Sequence, residues 1–204
     1  MKLMIFTFIL LILWNPLIAQ TNLINNGSFE TKSNTYNYFN DTENVKWICI
    51  NSPDFIGYDT IEGKHSFVGL LLELPNEYLI QNINEHLETE CTYEFSMLVN
   101  TNKKEIPINV MFLNQQDSVS TEWDVFDYAK KYEVYTPKIS SKKHSKNWRT
   151  FSFYFKPKKQ FSKIIIGNIL TREENNNYTY VDDIKLYKFC KEEEKDKTLK
   201  LHLK

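Results

Sequence analysis

The sequence predicts an all-β protein, a β-sandwich of the jelly-roll type with two antiparallel sheets. Eight segments have the length and composition of short β-strands, and most of them alternate apolar and polar residues with a period of two. Polar turns separate these segments, and no long stretch shows the periodicity of an amphipathic helix. Many short strands joined by polar turns are typical of sandwiches and jelly rolls.

The strand pattern is clearest in the segments Cys91–Val99 and Trp148–Phe155. In the second segment, phenylalanines at every other position alternate with Thr150, Ser152 and Tyr154, which places the two sets on opposite faces. The other predicted strands are Val45–Ile50, Ser66–Leu72, Glu77–Ile83, Ile106–Phe112, Phe161–Ile169 and Tyr180–Phe189.

Two segments depart from the strand pattern. Asn84–Glu90 is predicted to form a short helical turn. Asn114–Asn147 is the least regular stretch, with Trp123, Phe126 and Tyr128 among its charged residues. A loop this long in a compact domain is usually functional or ordered by its own aromatic residues, and both interpretations stay open at this point.

The chain is predicted to hold one domain behind a signal peptide. In residues 1–19, Lys2 precedes an apolar run, and Ala19 is the small residue expected before cleavage. The alternative is a membrane anchor, but the run is short for a bilayer core of about 30 Å. We therefore assign residues 20–190 to the β-domain and residues 191–204, a charged run, to a flexible tail.

The charge balance bears on the choice of partner. The chain of 204 residues has 25 Lys or Arg and 26 Asp or Glu, so its net charge is near zero. Such a balance gives no general attraction to nucleic acid or to an acidic membrane surface. We expect neither as a partner, and no membrane span once the signal peptide is removed.

Three cysteines allow at most one disulfide within the chain. Export permits a disulfide, and Cys49 with Cys190 is the first choice, because both lie on predicted strands near the chain ends. Three half-buried thiols, Cys91 included, are the alternative. The absence of a CxxC spacing and of nearby histidines argues against zinc.

Two motifs at the ends of the domain point to a known family. Asn22–Glu30 (NLINNGSFE) resembles the opening of carbohydrate-binding modules with the galactose-binding-like jelly-roll fold, and Tyr180–Leu186 (YVDDIKL) resembles their closing strand. The order of the motifs between them is similar to that in exported Bacteroidetes surface proteins. The resemblance covers about residues 22–188 and implies a galactose-binding-like domain with a binding role.

The two end motifs also favour a structural calcium ion. Simple alternation puts Asp182 on the same face as Ile184 and Leu186, and an inward carboxylate is costly unless it is paired or binds a cation. The resembled modules often hold calcium at the matching positions, which implies Glu30 and Asp182 as ligands. Their pattern adds backbone carbonyls from the turn at residues 63–65, Lys64 among them; calcium takes such oxygen ligands. The alternatives are that both carboxylates accept backbone hydrogen bonds, or that Asp183 replaces Asp182 after a slip in register.

Sugar binding needs an exposed aromatic ring with polar groups beside it. The candidate contacts are Tyr36, Tyr38, Tyr58, Trp123 and Tyr128, with Asn37, Asp59 and Asp124 as polar neighbours. Trp123 is the preferred single contact, because it lies in a polar, irregular segment. Trp47 and Trp148 belong to strand motifs and are predicted to lie in the core.

The sequence therefore predicts a non-catalytic module, secreted, periplasmic or on the outer cell surface, that binds a glycan or cell-surface polysaccharide. No GxSxG, HExxH or P-loop motif is present, and the four histidines are scattered. The main alternative is a structural or protein-interaction component of the bacterial envelope without a sugar site. A small glycan-active enzyme is a more remote alternative. The two carboxylates of a glycosidase would be adjacent only in space, so the sequence alone does not reveal such a pair.

Overall fold

The computed structural model of the protein describes residues 20–29, 46–51, 53–56, 67–71, 76–100, 108–136, 138–143, 148–170 and 178–190. The predicted signal peptide (1–19) and tail (191–204) lie outside these ranges. Among the described residues are eleven β-strands and one helix, α1 (Glu122–Ala129). The strands are β1 (Ile48–Ile50), β2 (Asp54–Ile56), β3 (Phe67–Leu71), β4 (Tyr78–Leu87), β5 (Thr92–Asn100), β6 (Asn109–Leu113), β7 (Val134–Tyr135), β8 (Lys138–Lys143), β9 (Trp148–Phe155), β10 (Phe161–Gly167) and β11 (Tyr178–Phe189).

The strands form two antiparallel sheets. The five-stranded sheet has the order β1-β4-β10-β6-β7, and the six-stranded sheet has the order β2-β3-β11-β5-β9-β8. Each of the eight predicted strands overlaps one of these strands. The predicted all-β sandwich of two antiparallel sheets is therefore confirmed.

The main core lies between the two sheets, where the alternating residues of each sheet meet. Phe95, Phe151 and Val181 of the six-stranded sheet belong to the same buried cluster as Val110 and Ile164 of the five-stranded sheet. Trp47 is also buried in it, and its indole Nε1 donates to the backbone oxygen of Asn26 over 3.2 Å. Trp47 and Trp148 are both buried, as predicted.

The five-stranded sheet is buried on both faces, which explains the continuous apolar run in β10. Ile164 and Ile166 point into the main core, whereas Ile165 belongs to a second cluster on the other face. That second cluster includes Val125 of α1. Residues 114–133, which we call the covering segment, therefore pack over the outer face of this sheet, and β7 then joins the edge of the sheet.

The covering segment is ordered by its own side chains. Helix α1 begins with a capping box, in which Asp124 N donates to Thr121 Oγ1 over 3.3 Å and Thr121 N donates to Asp124 Oδ2 over 2.9 Å. The hydroxyl of Tyr132 contacts Asp117 and Asn114. The sequence left open whether Asn114–Asn147 is a functional loop or a loop ordered by its own aromatic residues. The contacts of Tyr132 agree with the second interpretation for the part that the structure describes. The helix itself was not predicted.

The predicted helical turn at Asn84–Glu90 is wrong, because β4 continues as far as Leu87. Leu87 pairs with Phe161 of β10, and the chain turns only at Thr89 and Glu90. Cross-strand pairing has overridden the weak local preference of this polar stretch.

The first-choice disulfide, Cys49–Cys190, is also wrong, because Cys91 pairs with Cys190. Phe189 and Thr92 are register partners on neighbouring strands, so the cysteines next to them lie side by side. Cys49 is a free, half-buried thiol on β1. Burial raises the pKa of Cys49, and the negative charge of Glu77 raises it further.

No helix in the described part of the chain is both long and apolar enough to cross a membrane.

Candidate functional site

The opening and closing motifs meet in the fold. Leu23 N donates to the backbone oxygen of Leu186, and Ile184 N donates to that of Gly27, both over 2.9 Å. The side chain of Asn22 also accepts a hydrogen bond from Leu186 N over 2.9 Å. The opening and closing motifs are therefore hydrogen-bonded to each other along residues 22–27.

A β-bulge changes the position of Asp182. Between the pairs Asp182–Leu98 and Lys185–Ser96, strand β11 has one more residue than β5, and Asp183 there has a positive φ of 49°. Asp182 therefore shares the outer face with its partner Leu98, and the prediction that it lies on the face of Ile184 is wrong. A prediction based on strict alternation of side chains along a strand does not account for an inserted residue.

Asp182 is nevertheless a buried carboxylate, with 4% of its surface exposed. Its Oδ1 accepts a hydrogen bond from Asp183 N over 2.6 Å, which agrees with one of the alternatives for this side chain. Asp183 forms an ion pair with Lys185, also over 2.6 Å. The other predicted calcium ligands, Glu30 and Lys64, lie outside the described residues.

A cluster of three potential metal-binding side chains occurs elsewhere, at Glu88, Cys91 and Cys190. The two sulfur atoms are already joined in the disulfide. Because thiolates rather than disulfides bind metal ions, this cluster is not a metal site in the oxidised protein.

Three of the predicted sugar contacts lie on α1, over the five-stranded sheet. Trp123 has 57% of its surface exposed, and its ring packs at an angle against Phe126. Asp124 is engaged in the capping box, and the backbone amides of Ser120 and Thr121 lower its pKa. The hydroxyl of Tyr128 donates to the backbone oxygen of Ser118 over 3.2 Å. Of the two aromatic residues, Trp123 is the more exposed.

The remaining predicted sugar contacts cannot be placed. Tyr36, Tyr38 and Tyr58, with their polar neighbours Asn37 and Asp59, all lie outside the described residues.

The six-stranded sheet has an outer face that the covering segment does not reach. The register aligns its outward residues in rows across β9, β5 and β11. We call these positions the outer sheet face; from one end to the other, its rows are Tyr154–Glu94–Tyr187, Ser152–Ser96–Lys185, Thr150–Leu98–Asp182 and Trp148–Asn100–Tyr180.

An exposed aromatic ring lies at one end of the outer sheet face. Tyr154 has 66% of its surface exposed, and its ring centroid lies 6.4 Å from that of Phe189, which is 37% exposed. The Tyr154 hydroxyl is hydrogen-bonded to the Glu94 carboxylate, and this bond and the charge of Glu94 raise the pKa of Tyr154. The ring is thus held upright beside the small hydroxyl side chains of Ser96 and Ser152.

The other end of the face carries a buried aromatic cluster. Phe67 packs edge-on against both Trp148 and Tyr180, with ring centroids 5.7 and 5.1 Å apart. The indole N–H of Trp148 is buried, and it has no hydrogen-bond partner among the described residues. A donor in that state is unusual, because buried polar groups are nearly always paired.

Tyr154, Glu94 and Phe189 were missed as site residues, although one signal was available. The alternation in Trp148–Phe155 already placed Tyr154 opposite the core phenylalanines. What the sequence could not show is which outer face the covering segment leaves uncovered, because that depends on where this segment packs.

No protein-family profile matches the chain, and no curated protein matches it. Among solved structures, it is similar to a cyclase from Fischerella sp. TAU, with 14% identity and a TM-score of 0.50 over 85% of this chain and 100% of that chain. A structure titled "CBM4 structure and function" has 18% identity and a TM-score of 0.45 over 81% of this chain and 99% of that chain. Identities this low bear on the fold alone.

The enzymatically active domain of tailspike protein 4 from bacteriophage CBA120 is also similar, with 10% identity and a TM-score of 0.49. The match covers 82% of this chain but 21% of the tailspike chain. The chain therefore spans about a fifth of that protein.

Proposed function

We propose that the protein is a non-catalytic glycan-binding module whose ligand lies on the outer sheet face. The observation that carries the proposal is the exposed ring of Tyr154, held by Glu94 and Phe189 next to the hydroxyls of Ser96 and Ser152. The C–H faces of sugars pack on such rings, and sugar hydroxyls pair with small polar side chains. The sequence resemblance supports the ligand class, and the exposed ring of Tyr154 supports the choice of surface.

The exposed part of the face suits a short ligand. Tyr154 lies at one end with the half-buried Ser96 and Ser152, whereas Leu98, Trp148 and Asp182 at the other end are buried. The ligand would therefore lie over the Tyr154 end of the face.

Replacement of Tyr154 tests the surface. We expect Tyr154→Ala to weaken glycan binding about tenfold, because one stacked ring is lost. The melting temperature should stay nearly unchanged, since most of the side chain is already in solvent. The measurement is a glycan-array screen of the mature domain, followed by calorimetric titration of the best ligand with both proteins.

Trp123→Ala is the matched comparison, because Trp123 is a similarly exposed ring on the opposite side of the sandwich. Loss of binding in Trp123→Ala but not in Tyr154→Ala would move the site to α1, as the sequence had suggested. A blank array with a folded protein would contradict glycan binding and favour a role as a protein-interaction component of the envelope.

The proposal includes a structural calcium ion held by Asp182, with Glu30 and a carbonyl from Lys64 as further ligands. A buried carboxylate beside the junction of the chain ends suits a hard cation, which would hold the opening segment against β11. We expect calcium to raise the unfolding free energy by about 3 kcal/mol at a hundredfold excess over its dissociation constant. Thermal unfolding with calcium and with EDTA measures this difference.

Asp182→Asn should remove the effect of calcium on unfolding. Asp183→Asn is the control, because Asp183 pairs with Lys185 and asparagine tolerates its positive φ. Equal melting temperatures in calcium and EDTA for the unaltered protein would rule the ion out.

Export to an oxidising compartment is part of the same proposal. The Cys91–Cys190 disulfide supports it, because disulfides persist in secreted and periplasmic proteins and are rare in the cytosol. The predicted signal peptide points in the same direction.

A further inference from the structure

The turn between β4 and β5 brings a carboxylate next to the disulfide. Cys91 N donates to the backbone oxygen of Glu88 over 3.3 Å, which closes a tight turn through Thr89 and Glu90. Within this turn, Oε2 of Glu88 lies 3.4 Å from Sγ of Cys91. A carboxylate oxygen of Glu88 and the sulfur atoms of Cys91 and Cys190 all lie within 4.8 Å of one another. One carboxylate and two sulfur atoms therefore meet at a single point of the fold.

The side chain of Lys188 holds the Glu88 carboxylate in this position. Its Nζ donates to Oε1 of Glu88 over 2.8 Å and to Oε2 of Glu85 over 3.2 Å. One oxygen of Glu88 is thus bonded to an ammonium group, and the other is directed towards the sulfur of Cys91. Hydrogen bonds of this kind orient the carboxylates that bind metal ions in proteins.

The disulfide is open to reduction in the folded protein. Cys91 is buried, but Cys190 is an exposed residue, and exposed disulfides are the more easily reduced ones. A thiolate, from a small thiol or a thiol oxidoreductase, attacks Cys190 and releases Cys91 as a thiolate. A second thiol then releases Cys190 from the mixed disulfide. The reductant leaves as its own disulfide, and the protein keeps two thiols.

The backbone keeps the two thiols together after reduction. Phe189 and Thr92 are register partners in β11 and β5, and Cys190 and Cys91 are the next residues along the chain. This pairing consists of backbone hydrogen bonds, which do not need the bond between the sulfur atoms. Spacing along the chain does not reveal the set, because the two cysteines are 99 positions apart. The reduced protein therefore has two sulfur ligands and one oxygen ligand already assembled.

We infer that the reduced protein binds a zinc ion at Glu88, Cys91 and Cys190, with a water molecule as the fourth ligand. Zinc takes thiolate and carboxylate ligands in a tetrahedral arrangement, and thiolates select against hard cations such as calcium. On binding, the two thiol protons pass to solvent. The ion replaces the disulfide as the link between the end of β11 and the turn before β5.

The first test is a calorimetric zinc titration of the full mature protein carrying Cys49→Ser, which removes the free thiol. A phosphine reduces the disulfide in one sample and is left out of the other. We expect one zinc ion per reduced chain, with a dissociation constant below about 1 µM, and no binding of this strength to the oxidised chain. Cobalt(II) in place of zinc should show the charge-transfer absorption of thiolate ligands.

Glu88→Gln in the same protein should weaken zinc binding about tenfold or more, because the loss of an outer partner alone costs about that much. Glu85→Gln is the matched control: Glu85 is bonded to the same lysine, but it contributes no atom to the cluster. Circular dichroism checks that both variants are folded. Equal zinc affinities of the two variants would overturn the inference.

Thermal unfolding covers the case in which reduction alone unfolds the protein. Reductant should lower the melting temperature, and zinc added before the reductant should restore part of the loss. A reduced protein whose melting temperature does not respond to zinc would overturn the inference, as would equal zinc binding by the oxidised protein. Neither outcome bears on glycan binding, which the Tyr154→Ala comparison tests separately.

Discussion

Loss of the Cys91–Cys190 disulfide is expected to lower the free energy of unfolding by about 4 kcal/mol. The bond joins residues that are 99 positions apart. It therefore restricts a large part of the unfolded chain. A disulfide that closes a long loop stabilises the folded state more than one that closes a short loop. Denaturant unfolding of Cys190→Ser, and of the unaltered protein with and without reductant, measures the effect.

Cys49→Ser is the control for this prediction, because Cys49 is the free cysteine and lies on the other sheet. It should change the unfolding free energy far less, and reductant should still destabilise it. An unfolding midpoint that does not respond to reductant would show that the disulfide contributes little.

The second large effect is expected for Gly27→Ala. A Cβ atom at Gly27 would lie 2.0 Å from the backbone oxygen of Ile184, so the opening segment would have to move away from β11. That movement would break the hydrogen bond from Ile184 N to Gly27. We expect a loss of about 3 kcal/mol in unfolding free energy, at the upper end for overpacking in a core.

Ser28→Ala is the matched control, because it alters the next residue and brings no new atom near β11. Chemical unfolding of the two variants side by side provides the comparison. A Gly27→Ala protein as stable as Ser28→Ala would mean that the opening segment is not tightly held.

The strands were predictable because burial on one face imposes a period of two, as in Trp148–Phe155. The disulfide was not predictable, since three cysteines allow three pairings and the choice depends on which strands are neighbours. Helix α1 was missed because it is short and is stabilised mainly by its cap and by its packing on the five-stranded sheet. Such contacts are not visible in an isolated segment.

The candidate site was predictable in part. Alternation identified Tyr154 as an outward residue, but not the openness of the face around it. The position of Asp182 was predicted incorrectly because a single inserted residue at Asp183 reverses the phase of the strand.

The position of the disulfide has a mechanical consequence. Cys190 directly follows β11, and its partner Cys91 directly precedes β5, the strand to which β11 is hydrogen-bonded. Tension applied to the chain beyond Cys190 would otherwise peel β11 from β5 one hydrogen bond at a time, starting at Phe189. The covalent bond transfers that load directly to the start of β5. Pulling from this end would therefore leave β11 in the sheet.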